Sequence, residues 1–509
     1  MPEHSGGTHP AATMEPMTPR RSPSRPVADP GSGGKGTGKL ASLLAAPSPL
    51  TNLAERFQRA DRELYVVGGS VRDAFLGRSA GTDLDLSTDA TPDEIQEITR
   101  PVARTMWLQG VRFGTVGVEV DEQRVEITTF RTERYRDASR HPEVSFEADV
   151  MSDLSRRDFT INAMAVQLPN LAPIDPFGGI GDIKAALIRT PNDPEDSFTD
   201  DPLRMLRAFR FASELEFRID EEVLAAVTRL KNEIKTVSAE RIRDELSRLL
   251  VGAAPAKALE QAEATGLTQV FLPELSSLRL EQDPVHRHKD VFSHTLAVIE
   301  RTPSVLELRL AALLHDIGKP RTRRISSEGV SFHHHEIVGA QMAGERLRAL
   351  RYPNEVVAEV RELIALHHRF HTYRLGWRDS AVRRYVRDAG PLLGWLNDLV
   401  RADCTTRNPT RAKVLAGRMD ELEARINELA AKEHLDRMRP ELDGEQIMAF
   451  LEIPPGPQVG QAREFLMEIR LEEGEIGRDE AYRRLAAWAR ARGLSPAEDA
   501  PVPPESSDG

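Results

Sequence analysis

The chain has a single cysteine, Cys404, in 509 residues. That excludes an intramolecular disulfide and any zinc cluster built on cysteines, and it gives no sign of an oxidising compartment. Aromatic residues are scarce, 5% of the chain, while Leu, Ala, Arg and Glu are plentiful, which favours a largely helical body. No apolar run approaches the ~18 residues needed to span a bilayer. The first residues lack the charged-then-apolar order of a secretion signal, so a cytoplasmic protein without membrane contact is expected. A basic excess is missing too. The formal net charge is −12, so a polyanion can bind only where the 68 Lys and Arg cluster locally.

What is present divides the chain. Residues 1–48 are rich in Pro, Gly and Ser without apolar periodicity and are expected to be disordered. The acidic, proline-rich tail 496–509 is expected to be loose as well. Between residues 62 and 168 the signals are mixed α/β. Leu64–Val67 is a short apolar strand ending in glycine, and Val111–Val120 and Arg124–Phe130 read as two strands joined by an Asp-Glu turn. From residue 200 onward apolar residues recur at helical spacing, as in Leu224, Val227, Leu230 and Ile234, or Leu306, Leu310, Leu313, Leu314 and Ile317. The pattern predicts an α/β head (49–190), a helical neck (191–280), a further helical domain (281–430) and a C-terminal helical region (431–495).

In the head, Gly68 and Gly69 lie between the first strand and a predicted helix. Glycine lets backbone N–H groups approach a phosphate, a helix N-terminus favours negative charge, and Arg72 one turn in adds donors. Such a pair alone is more often an ordinary turn. Asp83 and Asp85 follow, on one face of a strand by their i, i+2 spacing. Two carboxylates on one face repel unless a cation lies between them, and Mg²⁺ takes few protein carboxylates beside water and phosphate oxygens. Glu126, flanked by apolar residues, can supply a third. Asp-x-Asp alone is usually a solvated turn. The two glycines, Asp-x-Asp and a strand carboxylate in this order describe a two-metal nucleotidyl-transfer site.

In the neck, Arg204, Arg207 and Arg210 recur every three residues along a helix that Asp201 and Pro202 begin. A solvated basic helix is the plain reading, but Leu203, Leu206, Phe209 and Phe211 make the segment unusually apolar for a surface. Cytosine and adenine both present an exocyclic amino donor beside a ring-nitrogen acceptor, and guanine and uracil present the reverse. A carboxylate accepts from the amino group and a guanidinium donates to the ring nitrogen. Asp201 and Arg204, one turn apart, can therefore select C and A without a nucleic-acid template.

Taken in order, Gly68-Gly69-Ser-Val-Arg72-Asp73, Asp83-Leu-Asp85, Arg156-Arg157-Asp158-Phe-Thr-Ile-Asn162, Asp175-Pro-Phe-Gly-Gly179 and Asp201-Pro-Leu-Arg204-Met-Leu-Arg207-Ala-Phe-Arg210 resemble the motifs of bacterial class II CCA-adding tRNA nucleotidyltransferases. The resemblance covers residues 50–275. It implies a polymerase-β-like nucleotidyltransferase head on a mostly helical body, with Mg²⁺ held by Asp83 and Asp85 and Glu126 orienting or activating the attacking hydroxyl. The implied reaction adds CTP- and ATP-derived residues to the tRNA 3′ end and releases pyrophosphate. Arg157 is implied to contact the nucleotide, and Arg207 and Arg210 to bind its phosphates or ribose. One departure is Asp200, where the family usually has Glu. The charged, turn-rich segment Arg131–Ser145 resembles the flexible loop that accompanies full CCA addition. The rival readings are a poly(A) polymerase or A-adding enzyme, which shares the head, and a metal-dependent phosphohydrolase that uses the head as an RNA-binding module.

A second set comprises His294, His315, Asp316, His335, His367, His368 and Asp403. A lone histidine is more often structural than a ligand. His315-Asp316, however, ends an apolar helical stretch and precedes Ile-Gly-Lys319, and imidazoles with hard carboxylates suit a divalent transition metal or Mg²⁺. Over 285–410 the set resembles the HD phosphohydrolase superfamily. That implies His294, His315, Asp316 and Asp403 as core metal ligands, with His335 and one of His367 or His368 holding a second metal. Phosphohydrolysis, for example of 2′,3′-cyclic phosphates, is one implied activity; metal binding without turnover and RNA docking are others. The arginines and Lys413 of residues 369–413, interleaved with Tyr373, Trp377 and Tyr385, make a candidate RNA-docking stretch, with core packing of the aromatics an equal alternative.

Overall fold

The computed structural model describes residues 49–78, 83–111, 114–130, 132–134, 143–145, 149–279, 290–326, 329–370, 377–404, 409–433 and 438–494. The N-terminal segment and acidic tail expected to be disordered lie outside these residues, as do Tyr373, Arg374, Arg407 and most of the 131–145 loop. The chain forms two compact units. Of the described residues, one holds those up to 133 together with those of 144–155 and 161–181, and the other holds 156–160 and those from Asp182 onward.

The first unit is built on a seven-stranded sheet. Its strands are β1 (Leu64–Val67), β2 (Asp83–Thr88), β3 (Thr105–Trp107), β4 (Thr115–Val120) and β5 (Gln123–Thr129). After the short strands β6 (Thr132–Arg134) and β7 (Glu143–Ser145), which lie off this sheet, come β8 (Ala165–Gln167) and β9 (Ala172–Ile174). The spatial order is β3-β4-β5-β2-β1-β8-β9, and β2 with β5 is its one parallel pair. Strand alternation decides the faces. Leu84, Leu86, Val116, Val118, Val125 and Ile127 are buried, while Asp85, Arg124 and Glu126 between them are exposed. Helices α1 (Pro49–Arg59), α2 (Gly69–Phe75) and α3 (Pro92–Thr99) pack against the strands. α3 starts at a capping box: Thr91 N donates to Glu94 Oε2 at 2.8 Å while the Thr91 hydroxyl accepts from Glu94 N. A smaller core joins Tyr65, Val67 and Phe130 to Leu154 of α4 (Val150–Ser155).

The Asp-Glu turn is where the sequence puts it, with Asp121 at φ 48° and Glu122 at φ 66°, the sense a two-residue hairpin turn needs. The strand before it begins at Thr115 and not at Val111, because the chain turns first: Thr115 N donates to Gly110 O at 3.1 Å and Gly114 adopts φ 82°.

α5 (Gly179–Lys184) spans the boundary after Gly181. The second unit is largely helical, and α6 (Pro194–Asp200) leads to α7 (Leu203–Leu215), which is buried on nearly every side. α8 (Glu221–Leu230) packs on α6, while α9 (Ala239–Val251) and α10 (Pro255–Thr265) pack on α7. Next come α11 (Val291–Arg301), α12 (Leu306–Leu314), α13 (His335–Ala349), α14 (Asn354–Leu366), α15 (Asp379–Ala389) and α16 (Leu393–Asp403). A hairpin of strands, Arg323–Ser326 with Gly329–Phe332, sits between α12 and α13. The last helices are α17 (Pro409–Glu433), α18 (Gly444–Leu451), α19 (Pro457–Glu473) and α20 (Arg478–Arg490), of which α18–α20 close around Ile447, Phe450, Leu466, Leu485 and Trp488. Among the described residues no helix is long and apolar enough to cross a membrane.

Candidate active site and metal centre

The turn from β1 into α2 needs Gly68, whose φ of 70° and ψ of −133° is a conformation that side-chain-bearing residues avoid. Gly69 is less constrained, since a Cβ there would meet Arg72 at an ordinary 3.7 Å. Arg72 ties two motifs of the head together, donating to Asn162 Oδ1 at 2.8 Å and to Asp73 Oδ1 at 2.9 Å. Asp175 has a structural task. It caps α5, accepting from Gly179 N at 2.6 Å and Ile180 N at 2.9 Å.

The parallel register sets Asp85 opposite Glu126 and Asp83 opposite Arg124. Neighbouring strands lie about 4.8 Å apart, so the Asp85 and Glu126 carboxylates stand side by side on the open face. They line one cleft of about 550 Å³ with Trp107, Gln109 and Arg124. Like charges this close favour a cation between them, and an all-oxygen set suits Mg²⁺. Asp83 is fixed here by its backbone position alone, two residues before Asp85 in the same strand.

In the neck, Asp201 Oδ1 accepts from Leu203 N at 3.2 Å, which starts α7, and Oδ2 accepts from Arg241 Nη2 at 2.7 Å. Arg204 donates to Ser197 Oγ at 2.9 Å and to the Arg156 carbonyl at 2.5 Å. Arg207 grips Asp158 through Nε at 2.9 Å and Nη2 at 2.6 Å, and reaches Glu245 at 3.0 Å. Burial opposes its charge, but Asp158 and Glu245 more than offset that and raise its pKa. Arg210 is buried, paired with Glu245 at 2.5 Å and Glu214 at 2.7 Å, and lies over the Phe211 ring at 3.7 Å. Arg157 is half-buried, next to Asp158. The sequence reading missed Arg241 and Glu245. Glu245 had a signal, being an acid among Ile242, Leu246 and Leu249 on the buried side of α9. Arg241 had none, because it meets Asp201 across 40 residues of chain.

The histidine–aspartate set gathers within the second unit. His294, His315 and Asp403 bring ligand atoms within 4.8 Å of one another, and so do Asp316, His335 and His367. Asp316 joins the trios, with Oδ2 at 3.2 Å from His315 Nε2 and Oδ1 at 3.6 Å from His335 Nε2. Three rings are locked in the same manner. The Nδ1–H of His315 donates to Ala312 O at 2.8 Å, that of His335 to Phe332 O at 2.9 Å and that of His367 to Ile364 O at 2.6 Å. Each therefore turns its Nε2 inward, the orientation metal-ligating imidazoles take. Burial, aided by the charge of His315, pushes His367 down to about 3. Burial works against Asp316 as an anion, yet His315 and Lys319 hold it well below the usual carboxylate range; Lys319 Nζ donates to it at 2.7 Å. Of the adjacent pair, His367 lies in the buried trio, while His368 is exposed with its ring 5.0 Å from that of His335. Buried imidazoles and carboxylates of this kind fit a divalent transition metal.

Several described arginines of the stretch that begins at Arg369 pair with acids. Arg383 is buried and bidentate on Glu433, Arg384 pairs with Glu468 and Glu472, and Arg401 pairs with Asp420 and Glu423. Tyr385 is core, 2% exposed, with Trp377 beside it at 5.3 Å.

Comparison with known proteins agrees with this geometry. Residues 64–189 match a family described as "Poly A polymerase head domain", 216–278 one described as "Probable RNA and SrmB- binding site of polymerase A", and 291–442 the "HD domain". An A-adding tRNA nucleotidyltransferase of Deinococcus radiodurans is 34% identical over 443 residues, 83% of this chain and 95% of the relative. A CC-adding tRNA nucleotidyltransferase of Thermus thermophilus is 33% identical over 449 residues, 85% of this chain and 95% of the relative. The crystal structure of the Bacillus stearothermophilus CCA-adding enzyme in complex with CTP superposes with a TM-score of 0.61 at 26% identity, covering 87% of this chain and 97% of the other. With these matches, at 33–34% identity over 95% of each of the two relatives, the chain belongs to the bacterial tRNA nucleotidyltransferases of the poly(A) polymerase family.

Proposed function

We propose that this enzyme adds CCA to tRNA 3′ ends from CTP and ATP, without a nucleic-acid template. The observation that carries the reading is the in-register pairing of Asp85 with Glu126 on the open face of the sheet, two residues after Asp83 in the same strand. Asp83 and Asp85 would hold two Mg²⁺ ions, with Glu126 orienting the hydroxyl of the RNA terminus. Mg²⁺, when bound, eases deprotonation of the attacking hydroxyl and offsets charge on the leaving oxygens. Gly68, Gly69 and Arg72 form the turn that receives phosphate. Asp201 and Arg204 choose the base. Arg241 steadies the Asp201 carboxylate, whose lone pairs leave room for a base amino group beside it. Arg157 contacts the nucleotide, and Arg207 and Arg210 keep the base-reading helix in place through Asp158 and Glu245.

The relatives add A, CC or CCA, so the test must separate these outcomes. Purified enzyme is given tRNA ending before CCA and tRNA ending in CC, with CTP and ATP singly and together. The expected product is complete CCA on the first substrate and A on the second. Extension of the second substrate alone, with CTP ignored, would make the enzyme A-adding and overturn the proposal.

A second activity is favoured by the buried His/Asp cluster with its three inward Nε2 atoms: metal-dependent phosphohydrolysis of 2′,3′-cyclic phosphate RNA ends. Protein loaded with Mn²⁺, Ni²⁺ or Mg²⁺ should open such a phosphate, and Asp316→Asn should not. Absence of hydrolysis with all three metals would leave the domain a metal-binding one.

A further inference from the structure

One row of residues crosses the open face of the head sheet. Trp107 in β3 pairs with Gly117 in β4, Gly117 pairs with Glu126 in β5, and Glu126 pairs with Asp85 in β2. The row thus runs from an indole through a glycine to two carboxylates. A Cβ on Gly117 would lie 1.9 Å from Trp107 Nε1 and 2.0 Å from Cε2. The indole therefore lies flat over the glycine and fills the gap between its own strand and Glu126. It is half-buried and lines the same cleft of about 550 Å³ as both carboxylates.

We propose that Trp107 is a stacking platform for the base of the acceptor's terminal nucleotide, whose 3′-hydroxyl is extended. The proposal rests on the reading of Asp85 and Glu126 as the transfer site. If Glu126 orients that hydroxyl, the ribose that bears it sits beside Glu126, and its base must lie on one side or the other. On one side is Asp85, with the metal and triphosphate. On the other are Gly117 and the face of Trp107. The incoming base is accounted for by Asp201 and Arg204, so the platform serves the acceptor. An aromatic face also suits the task. Stacking tolerates every base, and the terminal base changes as the reaction advances, from any residue before CCA to cytosine and cytosine again.

The test compares two acceptors on one protein, one with an ordinary terminal base and one abasic there but with its 3′-hydroxyl intact. For the wild type, removing the base should raise the acceptor KM about tenfold, the scale of one base–aromatic stack. In Trp107→Ala the ordinary acceptor should lose that advantage, so the two acceptors converge; Trp107→Phe should restore most of the difference. A ratio of the two kcat/KM values is unaffected by a fraction of inactive protein, so partial misfolding of the alanine variant does not disguise the answer. An abasic penalty of the same size in Trp107→Ala as in the wild type would overturn the proposal, as would a phenylalanine variant that behaves like alanine. Incorporation by Asp85→Asn would instead count against the transfer site itself, whatever the ratio shows.

Discussion

Arg207 satisfies two carboxylates that are almost wholly out of solvent, Asp158 at 8% and Glu245 at 6% exposure. Cutting it back to alanine removes a guanidinium from both and leaves Glu245 to Arg210, and breaking such a buried pair costs about 3 kcal/mol. Urea unfolding of Arg207→Ala should show a loss of that order, and Arg207→Lys should not recover it because an ammonium cannot reproduce the fork. A loss no larger than an exposed ion pair, about 1 kcal/mol or less, would refute the network. The transfer site is expected to fail by chemistry and not by folding. Asp85→Asn and Glu126→Gln should keep the wild-type unfolding curve and lose at least about a hundredfold in incorporation rate. At this scale the sequence was informative wherever partners lie close along the chain. Asp201 and Arg204 stand out by their spacing, whereas Arg241 and Glu245 reach their partners only after α9 has folded back against α7.

Elements come together through a few close approaches. A Cβ on Gly318 would sit 2.2 Å from the carbonyl oxygen of His335 and 2.7 Å from Gly339 N. The segment after Asp316 can therefore touch the start of α13, and this contact delivers His335 to Asp316. Gly318→Ala should push that helix away, cost about 1–3 kcal/mol from overpacking, and lower the metal taken up by the purified protein. Equal metal content in the variant and the wild type, measured by elemental analysis, would contradict this. The long helices were legible from apolar spacing, because each buries one regular stripe or, in α7, nearly its whole surface. The strand pair before α13 was not: Arg323–Ser326 carries one apolar residue and Gly329–Phe332 two, too short a pattern to stand out. The ion pairs of the basic stretch after Arg369 were not legible, because partners such as Glu433, Glu468 and Glu472 come from helices much later in the chain.

In the whole molecule, the carboxylate row and the His/Asp cluster belong to different compact units. They should fail separately. Asp316→Asn should remove metal from the cluster while nucleotide incorporation continues, and Asp85→Asn should do the reverse; loss of both functions in either variant would contradict two independent centres. The order of the domains was readable because the motifs carry it. The central claim is that protein side chains choose the base, and the most direct measurement is the kcat/KM ratio for CTP over UTP in the wild type and in Asp201→Ala. The account predicts strong discrimination in the first and a ratio approaching one in the second; an unchanged ratio in the alanine variant would contradict it.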